Sequence, residues 1–254
     1  MSVSELIPVP PNLNPGIPSA KQATMLAILG NPRRQYSDEC QPLTNERLQR
    51  LFVESQSVGP FKVTGLKPAV ASLRDVLTDV GREQPEVSEA LGTAGMFCAR
   101  LVRGSLHAIS NHSWGTAVDL RINGVLDRRG DNRVQRGLVE IAPIFNRHGW
   151  FWGAGFRTED AMHFEASDDL IRKWAVDGLL GDVPPSPIRI LVIGDRGPEV
   201  SEVQRRLNAA GADLKVDGTF GPGTRGAVAA FQASKGLLPD GVVGPDTLAA
   251  LGLR

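Results

Sequence analysis

The chain has 254 residues, a length that suits one or two folded domains. Hydrophobic residues make up 41% and charged residues 22%, which is ordinary for a globular protein with a sizeable core. Lys plus Arg and Asp plus Glu both number 28, so the formal net charge is zero. This balance argues against a protein that binds nucleic acid through a basic surface, and against a polybasic membrane anchor.

No stretch approaches the roughly 18 apolar residues that a transmembrane helix needs, so we expect no membrane insertion. The N-terminus is polar and proline-rich and lacks a basic segment followed by an apolar one, so we expect no signal peptide. The two cysteines, Cys40 and Cys98, are too few for a disulfide scaffold or a four-cysteine zinc site. They could form one disulfide, but we expect two free buried thiols because cysteine often behaves as a small buried hydrophobe.

Residues 1–40 show little periodicity, which predicts an extended N-terminal arm. From there to residue 180, helical and strand-like segments alternate. Helices are predicted over 68–81, 134–149 and 168–180, and short strands over 95–102, 116–122, 151–156 and 161–166, with a turn-rich hairpin over 123–134. The pattern indicates an α+β domain over 41–180, with a small antiparallel sheet and flanking helices.

A proline-rich stretch, 181–188, predicts a linker to a second unit over 189–254. This tail contains an internal repeat, DGTFGPGT at 217–224 and DGVVGPDT at 240–247, with an offset of 23. In each copy Asp-Gly favours a turn and Gly-Pro favours a helix start with proline at its first position. A looser third Gly-Pro at 197–198 completes the prediction of a small three-helix all-α domain.

The tail resembles the peptidoglycan-binding domain type 1 family. The resemblance covers about residues 189–254 and implies cell-wall binding, with bacterial peptidoglycan as partner, rather than catalysis. It is carried by Gly197, Val200, Gln204, Leu207, Asp217, Gly218, Phe220, Gly221, Thr224, Ala227, Val228, Phe231, Gln232, Gly236, Leu237, Asp240, Gly241, Gly244 and Thr247.

Residues able to bind a metal occur in two segments of the first domain. ISNHSWGTAVDL contains His112 and Asp119, and EDAMHF contains Asp160 and His163. Imidazole and carboxylate are usual zinc ligands, and two His plus one Asp leave a fourth position for water, as in catalytic sites. Asp160 lies three residues before His163, so it could take a proton from that water without binding the metal.

The full pattern is Ser110-x-His112-x-x-Gly115-x-Ala117-x-Asp119, followed by Asp160-x-x-His163-Phe164. It resembles the zinc D-alanyl-D-alanine carboxypeptidase family, which also contains D,D-dipeptidases and phage L-alanyl-D-glutamate endopeptidases. The resemblance covers roughly residues 60–170. It implies one Zn²⁺ per chain held by His112, Asp119 and His163, with Asp160 as the catalytic base.

Two departures from the family pattern matter. Many members have Glu at the base position, whereas this chain has Asp160 with Glu159 beside it; the spacing from His163 favours Asp160. The family also uses an arginine on the strand before the zinc motif to hold the substrate carbonyl or the developing oxyanion. Arg100 is favoured for this role, and Arg103 is the alternative.

Other residues near these motifs have less defined roles. Ser110 is expected to support the metal loop from outside the ligand set, since water rather than serine is the nucleophile. Trp114 is expected either in the wall of the cleft or in the core. His107 is expected in an exposed loop, and His148 at a helix C-terminus, where the helix dipole favours it.

These observations together predict a two-domain zinc peptidase that hydrolyses peptidoglycan stem peptides. Asp160 favours the L-alanyl-D-glutamate endopeptidase of the phage endolysin type, with a D-alanyl-D-alanine carboxypeptidase as the alternative. A catalytically inactive cell-wall-binding protein is the alternative of another class. We expect a monomer that is made in the cytoplasm and acts on the cell wall after release or delivery by another route.

Overall fold

The computed structural model describes residues 2–33, 35–37, 39–105, 108–181 and 191–253. His107 and nearly all of the expected linker at 181–188 lie outside these ranges. Among the described residues, no helix combines the length and the apolar character needed to span a bilayer.

The structure is a mixed α/β fold of helices and small sheets. Its strands are β1 Leu6–Pro8, β2 Phe52–Ser57, β3 Lys62–Leu66, β4 Leu91–Gly95, β5 Ala117–Ile122, β6 Val125–Leu126, β7 Arg133–Gln135, β8 Trp150–Trp152 and β9 His163–Ala166. Its helices are α1 Gln22–Leu29, α2 Glu46–Leu51, α3 Lys67–Glu83, α4 Pro85–Ala90, α5 Arg136–Arg147, α6 Asp168–Val176, α7 Pro198–Ala209, α8 Pro222–Ser234 and α9 Pro245–Ala250.

The largest sheet has the order β4-β5-β9-β8, and β6 folds back onto β5. All of these pairs are antiparallel, as the sequence predicted. Helix α3 packs its apolar face into the core, with Leu73 and Val76 fully buried. Helix α5 does the same despite an internal proline, Pro143. His148 directly follows α5, as predicted, and its Nε2 lies 2.9 Å from Asp79 Oδ2.

Two predicted strand features were wrong. Apart from Gly95, which ends β4, the predicted strand over 95–102 forms only isolated bridges, Gln41 with Ala99 and Leu101 with Ile109. Its backbone bonds instead with the turn ahead of β5: the Cys98 N–H donates to the His112 carbonyl, and the Ser110 N–H to the Arg100 carbonyl. The predicted hairpin over 123–134 does not form either, because β6 pairs with β5 and β7 pairs with β1.

The N-terminal segment differs from the extended arm that we expected. Strand β1 pairs with β7, and α1 places Met25 and Leu29 in the core with no exposed surface. The α1 sequence, QATMLAIL, is apolar on most sides, which is typical of a helix enclosed by other elements rather than of an amphipathic surface helix. Asn14 also accepts a hydrogen bond from the Trp152 N–H, so this segment packs against β8.

The expectation of free thiols was wrong, because Cys40 and Cys98 form a disulfide. The bridge between Gln41 and Ala99 holds the two cysteine-bearing segments side by side, with the cysteine Cα atoms 4.8 Å apart. The pair is separated by 58 residues in sequence, and the pairing depends on a contact that no local pattern reveals.

The repeat in the tail is visible as two matching hydrogen-bond clusters, each centred on a buried glutamine. Gln204 and Gln232 each donate through Nε2 to an aspartate, a backbone carbonyl and a threonine hydroxyl, and each accepts a glycine N–H through Oε1. The partners are Asp217, Thr219, Thr224 and Gly218 in the first copy, and Asp240, Val242, Thr247 and Gly241 in the second. Helices α7, α8 and α9 share one hydrophobic cluster that includes Val200, Val228 and Leu251, the residue directly after α9.

Candidate metal centre and active site

Three side chains able to bind a metal converge at the centre of the main sheet. Asp119 on β5 and His163 on β9 are directly opposite each other in the antiparallel register. His112 lies in the 3₁₀ turn Asn111–Trp114, which leads into β5. Gly115 ends this turn with φ of 61°, and a Cβ atom there would lie 2.7 Å from the Gly65 Cα, so the turn requires glycine.

The three candidate ligand atoms form an equilateral triangle, which we call the metal triangle. The distances between His112 Nε2, Asp119 Oδ1 and His163 Nδ1 are each 3.2 Å. Zinc bonds of about 2.0–2.1 Å in tetrahedral geometry place neighbouring ligand atoms about 3.3–3.4 Å apart. The triangle therefore has the dimensions and the donor chemistry of three zinc ligands, and the structure brings together the three residues that the sequence proposed.

The charges in the metal triangle are strongly coupled. Burial raises the pKa of Asp119, but hydrogen bonds to His112 and His163 outweigh it and hold that pKa far below its usual range. Burial lowers the pKa of His163, but hydrogen bonds to Asp119 and Glu165 raise it to about 10. Asp119 is thus held in its ionised form, which is the form in which a carboxylate binds a metal.

Asp160 lies beside the metal triangle with one oxygen left free. Its Oδ1 is buried and has no hydrogen-bond partner among the described residues. Burial raises the pKa of Asp160, while the charge of His163 lowers it and the charge of Asp119 raises it; the net pKa is above the ordinary value. A carboxylate whose pKa is raised is a stronger base than an ordinary aspartate, which suits it to accept and return a proton.

The neighbouring carboxylate, Glu159, has a different environment. It is buried, and its oxygens accept the backbone N–H groups of Gly130, Asn132 and Ala161. These bonds hold the loop before β7 against the segment before β9. Because its oxygens already bind backbone groups, Glu159 is less suited than Asp160 to act as the base.

Two arginines, Arg100 and Arg129, lie near Asp160. Arg100 is within electrostatic range of both Asp119 and Asp160, and burial lowers its pKa. Its Nη1 donates to the Leu101 carbonyl, and the charge of Arg103 also lowers the pKa of Arg100. Sequence reasoning missed Arg129, whose Nε lies 3.5 Å from Asp160 Oδ2. The motifs gave no signal for it, because Arg129 lies in the loop between β6 and β7.

Two further candidates from the sequence, Ser110 and Trp114, are both buried. Ser110 is buried and supports the 3₁₀ turn through its backbone, since its carbonyl accepts the Ser113 N–H. Trp114 does not line a cleft: it is fully buried, and its Nε1 donates to the Gly30 carbonyl. Of the two expectations for Trp114, the core position is confirmed and the cleft position is wrong, because the 3₁₀ turn directs this ring into the core.

Each histidine of the metal triangle is anchored through its other ring nitrogen. His112 Nδ1 lies 3.1 Å from the Met96 carbonyl oxygen. His163 Nε2 lies 2.9 Å from Glu165 Oε2. The sequence motifs identified neither anchor, although alternation along β9 places Glu165 on the same face as His163.

Comparisons with known proteins show which families two segments of the chain resemble. Residues 103–166 match the family described as D-alanyl-D-alanine carboxypeptidase, and residues 196–251 match the family described as "Putative peptidoglycan binding domain". The first match contains the metal triangle and Asp160. These two segments of the chain are therefore similar to a D-alanyl-D-alanine carboxypeptidase family and to a peptidoglycan-binding domain family.

Particular relatives share shorter segments with the chain. The zinc D-Ala-D-Ala carboxypeptidase of Streptomyces albus G is 44% identical over 57 residues, 21% of this chain and 22% of that protein. An uncharacterized protein encoded in the bpoA1 3′ region of Kitasatospora aureofaciens is 52% identical over 59 residues, 22% of this chain and 50% of that protein. The chain thus spans between a fifth and a half of the length of these relatives. Among solved structures, the Burkholderia AP3 phage endolysin is 52% identical, with coverage of 25% of this chain and 24% of that one and a TM-score of 0.25.

Proposed function

We propose that the chain is a zinc-dependent peptidase that hydrolyses amide bonds in peptidoglycan stem peptides. The observation that carries this proposal is the metal triangle with its 3.2 Å edges, together with Asp160, which interacts electrostatically with all three of its residues. The buried Oδ1 of Asp160 has no hydrogen-bond partner among the described residues. Together these groups have the composition of a hydrolytic metal site, with three protein ligands and a separate base. The family match over the same residues supports the proposal.

The site residues have separate proposed roles in metal binding, proton transfer and binding of the substrate carbonyl. His112, Asp119 and His163 would hold zinc, which supplies Lewis acidity and lowers the pKa of water. Asp160 accepts the proton of the attacking water and returns it to the leaving amine. Arg100 is the proposed partner of the substrate carbonyl, where a charged donor stabilises negative charge as it develops; loss of such a donor typically costs about 2.7–4 kcal/mol.

The tail is proposed to hold the enzyme on its insoluble substrate. The match of residues 196–251 to the peptidoglycan-binding family supports this role. Tethering raises the effective concentration of the catalytic site near its substrate without adding catalytic contacts. In this proposal the three-helix unit is a domain separate from the peptidase, with the boundary at the proline-rich 181–188, and the enzyme acts at the cell wall.

For the bond that is cleaved, our first candidate is L-alanyl-D-glutamate, because Asp160 stands where many family members have Glu. A second candidate is the terminal D-alanyl-D-alanine bond, which is favoured by the description of the matched family and by the name of the Streptomyces relative. Digestion of purified peptidoglycan followed by mass spectrometry distinguishes them. New L-alanine C-termini support the first candidate, and free D-alanine supports the second.

A catalytically inactive wall-binding protein remains the alternative of another class. It predicts that the chain sediments with peptidoglycan but releases no peptide, even with added zinc. The peptidase proposal predicts release of peptide that stops when a chelator removes zinc and returns when zinc is restored. Binding without any zinc-dependent cleavage would favour the inactive protein.

A further inference from the structure

Glu165 is a buried carboxylate on β9 that takes no part in the proton transfer proposed above. Its side chain is 2% exposed and accepts three hydrogen bonds. Oε2 accepts from His163 Nε2 at 2.9 Å and from Asn111 Nδ2 at 2.7 Å, and Oε1 accepts from the Ala20 N–H at 3.0 Å. Burial of a carboxylate is costly unless its oxygens are hydrogen-bonded, and here donors from three separate parts of the chain supply the bonds.

The position of Glu165 determines how the His163 ring faces the metal triangle. Because Nε2 points at the carboxylate, Nδ1 is left to face His112 and Asp119. A carboxylate on the outer nitrogen of a histidine fixes its tautomer and ring orientation and makes the inner nitrogen a stronger ligand. His112 has a weaker anchor, since its outer nitrogen meets the neutral carbonyl of Met96.

We propose that Glu165 is the positioning residue for His163, and that it ties the ring to the N-terminal segment through Ala20 and to the 3₁₀ turn through Asn111. This rests on the proposed function in one respect, namely that the metal triangle binds zinc. It also gives the N-terminal segment a role, because the Ala20 N–H helps to orient the Glu165 carboxylate, which in turn orients His163.

Two substitutions separate the parts of this role. Glu165→Met keeps an unbranched chain of similar length but removes both acceptor oxygens. Glu165→Gln keeps one acceptor oxygen, removes the charge, and sets an amide NH₂ against at least one of the three donors. Removal of an outer-shell partner of a metal ligand typically weakens metal binding by about 10- to 100-fold. We expect Gln near the lower end of that range and Met near the upper end.

Asp168 provides a matched control. Its carboxylate is also buried and also binds the N-terminal segment, since Oδ1 accepts the N–H of Lys21, the neighbour of Ala20. Its other oxygen pairs with Arg172 rather than with a residue of the metal triangle. Asp168→Asn should therefore lower the stability of the fold while leaving zinc affinity unchanged.

The measurement is the zinc dissociation constant of the full chain by competition with a chromogenic chelator, alongside the thermal midpoint of the metal-free protein. A second readout is the imidazole N–H proton signal of the zinc-loaded protein. We expect the slowly exchanging His163 Nε2–H signal in the wild type and in Asp168→Asn, and its loss in Glu165→Met.

The outcomes distinguish this inference from the function beneath it. If the wild type binds zinc and both Glu165 variants bind it equally well, the positioning role is wrong and the metal site stands. If the Asp168 variant loses zinc affinity as much as the Glu165 variants, the effect is general destabilisation and the role is again wrong. If the wild type binds no zinc, both proposals fail. Should Glu165→Met not fold, the Gln variant decides.

Discussion

At the scale of single residues, the two neighbouring carboxylates Glu159 and Asp160 have different hydrogen-bond environments. Glu159 accepts three backbone N–H groups, whereas Asp160 retains a buried oxygen with no partner in the described part of the chain. Spacing along the sequence favoured Asp160 but could not show what occupies the oxygens of Glu159. The structure shows that the oxygens of Glu159 bind the loop that contains Gly130 and Asn132, which lies almost 30 residues earlier in the sequence.

The first prediction concerns the proposed base. Asp160→Asn keeps the shape of the side chain but removes its ability to accept a proton, so zinc content should remain while turnover falls by about 10²–10⁴-fold. Steady-state kinetics and metal analysis of the same preparation check this. Glu159→Gln serves as the control and should cost stability more than turnover. Near-normal turnover in Asp160→Asn would exclude it as the base.

A second prediction concerns Asp127, a buried carboxyl group whose ionised form is unfavourable. Oδ2 accepts the Gln135 N–H, while Oδ1 has no partner within the described ranges. Burial raises the pKa of Asp127 to about 6, and the charges of Glu159, Asp131 and Asp160 act in the same direction. The ionised group therefore destabilises the fold above pH 6, and this cost disappears as pH falls toward the unfolded-state pKa of about 3.9.

Asp127→Asn should consequently stabilise the fold at pH 8 by about 1–3 kcal/mol, since each pKa unit corresponds to roughly 1.4 kcal/mol. It should also flatten the pH dependence of stability between pH 4 and 7. Urea unfolding of both proteins across that range tests the prediction. A variant less stable than the wild type at pH 8 would show that the ionised carboxylate is net favourable.

At the scale of elements, local patterns predicted most helices and the two strands that carry Asp119 and His163. Helix α3 and helix α5 have apolar faces with clear periodicity, and β5 and β9 follow from their motif segments. Segments stabilised by distant partners were not predictable. Residues 95–102 bond to the 3₁₀ turn, and β1 exists only because β7 lies beside it.

The disulfide gives a prediction at this scale. Cys40 and Cys98 close a loop of 58 residues and fix the segment that carries Arg100. In the chain-entropy treatment, a loop of that size corresponds to about 4 kcal/mol of stabilisation. The double variant Cys40→Ser and Cys98→Ser should therefore unfold at a clearly lower urea concentration than the oxidised wild type.

Reductant provides the matched comparison, because it should shift the wild type toward the variant and leave the variant unchanged. Equal unfolding midpoints for the oxidised wild type and the double variant would contradict the stabilising role.

At the scale of the whole molecule, the chain is electrically balanced in both parts. Residues 189–254 carry eight basic and seven acidic side chains, which leaves residues 1–188 with a net charge of −1. Wall binding therefore should not depend on bulk charge attraction. The motifs of both parts could be recognised from sequence, because each motif is local. The packing of the N-terminal segment over residues 2–20 could not, because it depends on contacts with β7, β8 and β9.

Removal of residues 189–254 tests whether the tail binds the cell wall while the rest of the chain hydrolyses the peptide. The truncated protein should no longer sediment with peptidoglycan, yet it should retain most of its activity on a small soluble stem peptide. For the full chain, sedimentation should change little with added salt, because neither part carries a large net charge. A truncated protein that is inactive on soluble peptide would contradict two separable domains.

The most direct test of the central claim is the zinc content of the wild-type chain and of His163→Ala, purified and measured side by side. The metal triangle predicts about one zinc per wild-type chain and almost none in the variant, because the loss of one ligand leaves only two. Peptide hydrolysis should be lost together with the metal. Stoichiometric zinc in His163→Ala, or none in the wild type even after zinc is supplied, would contradict the account.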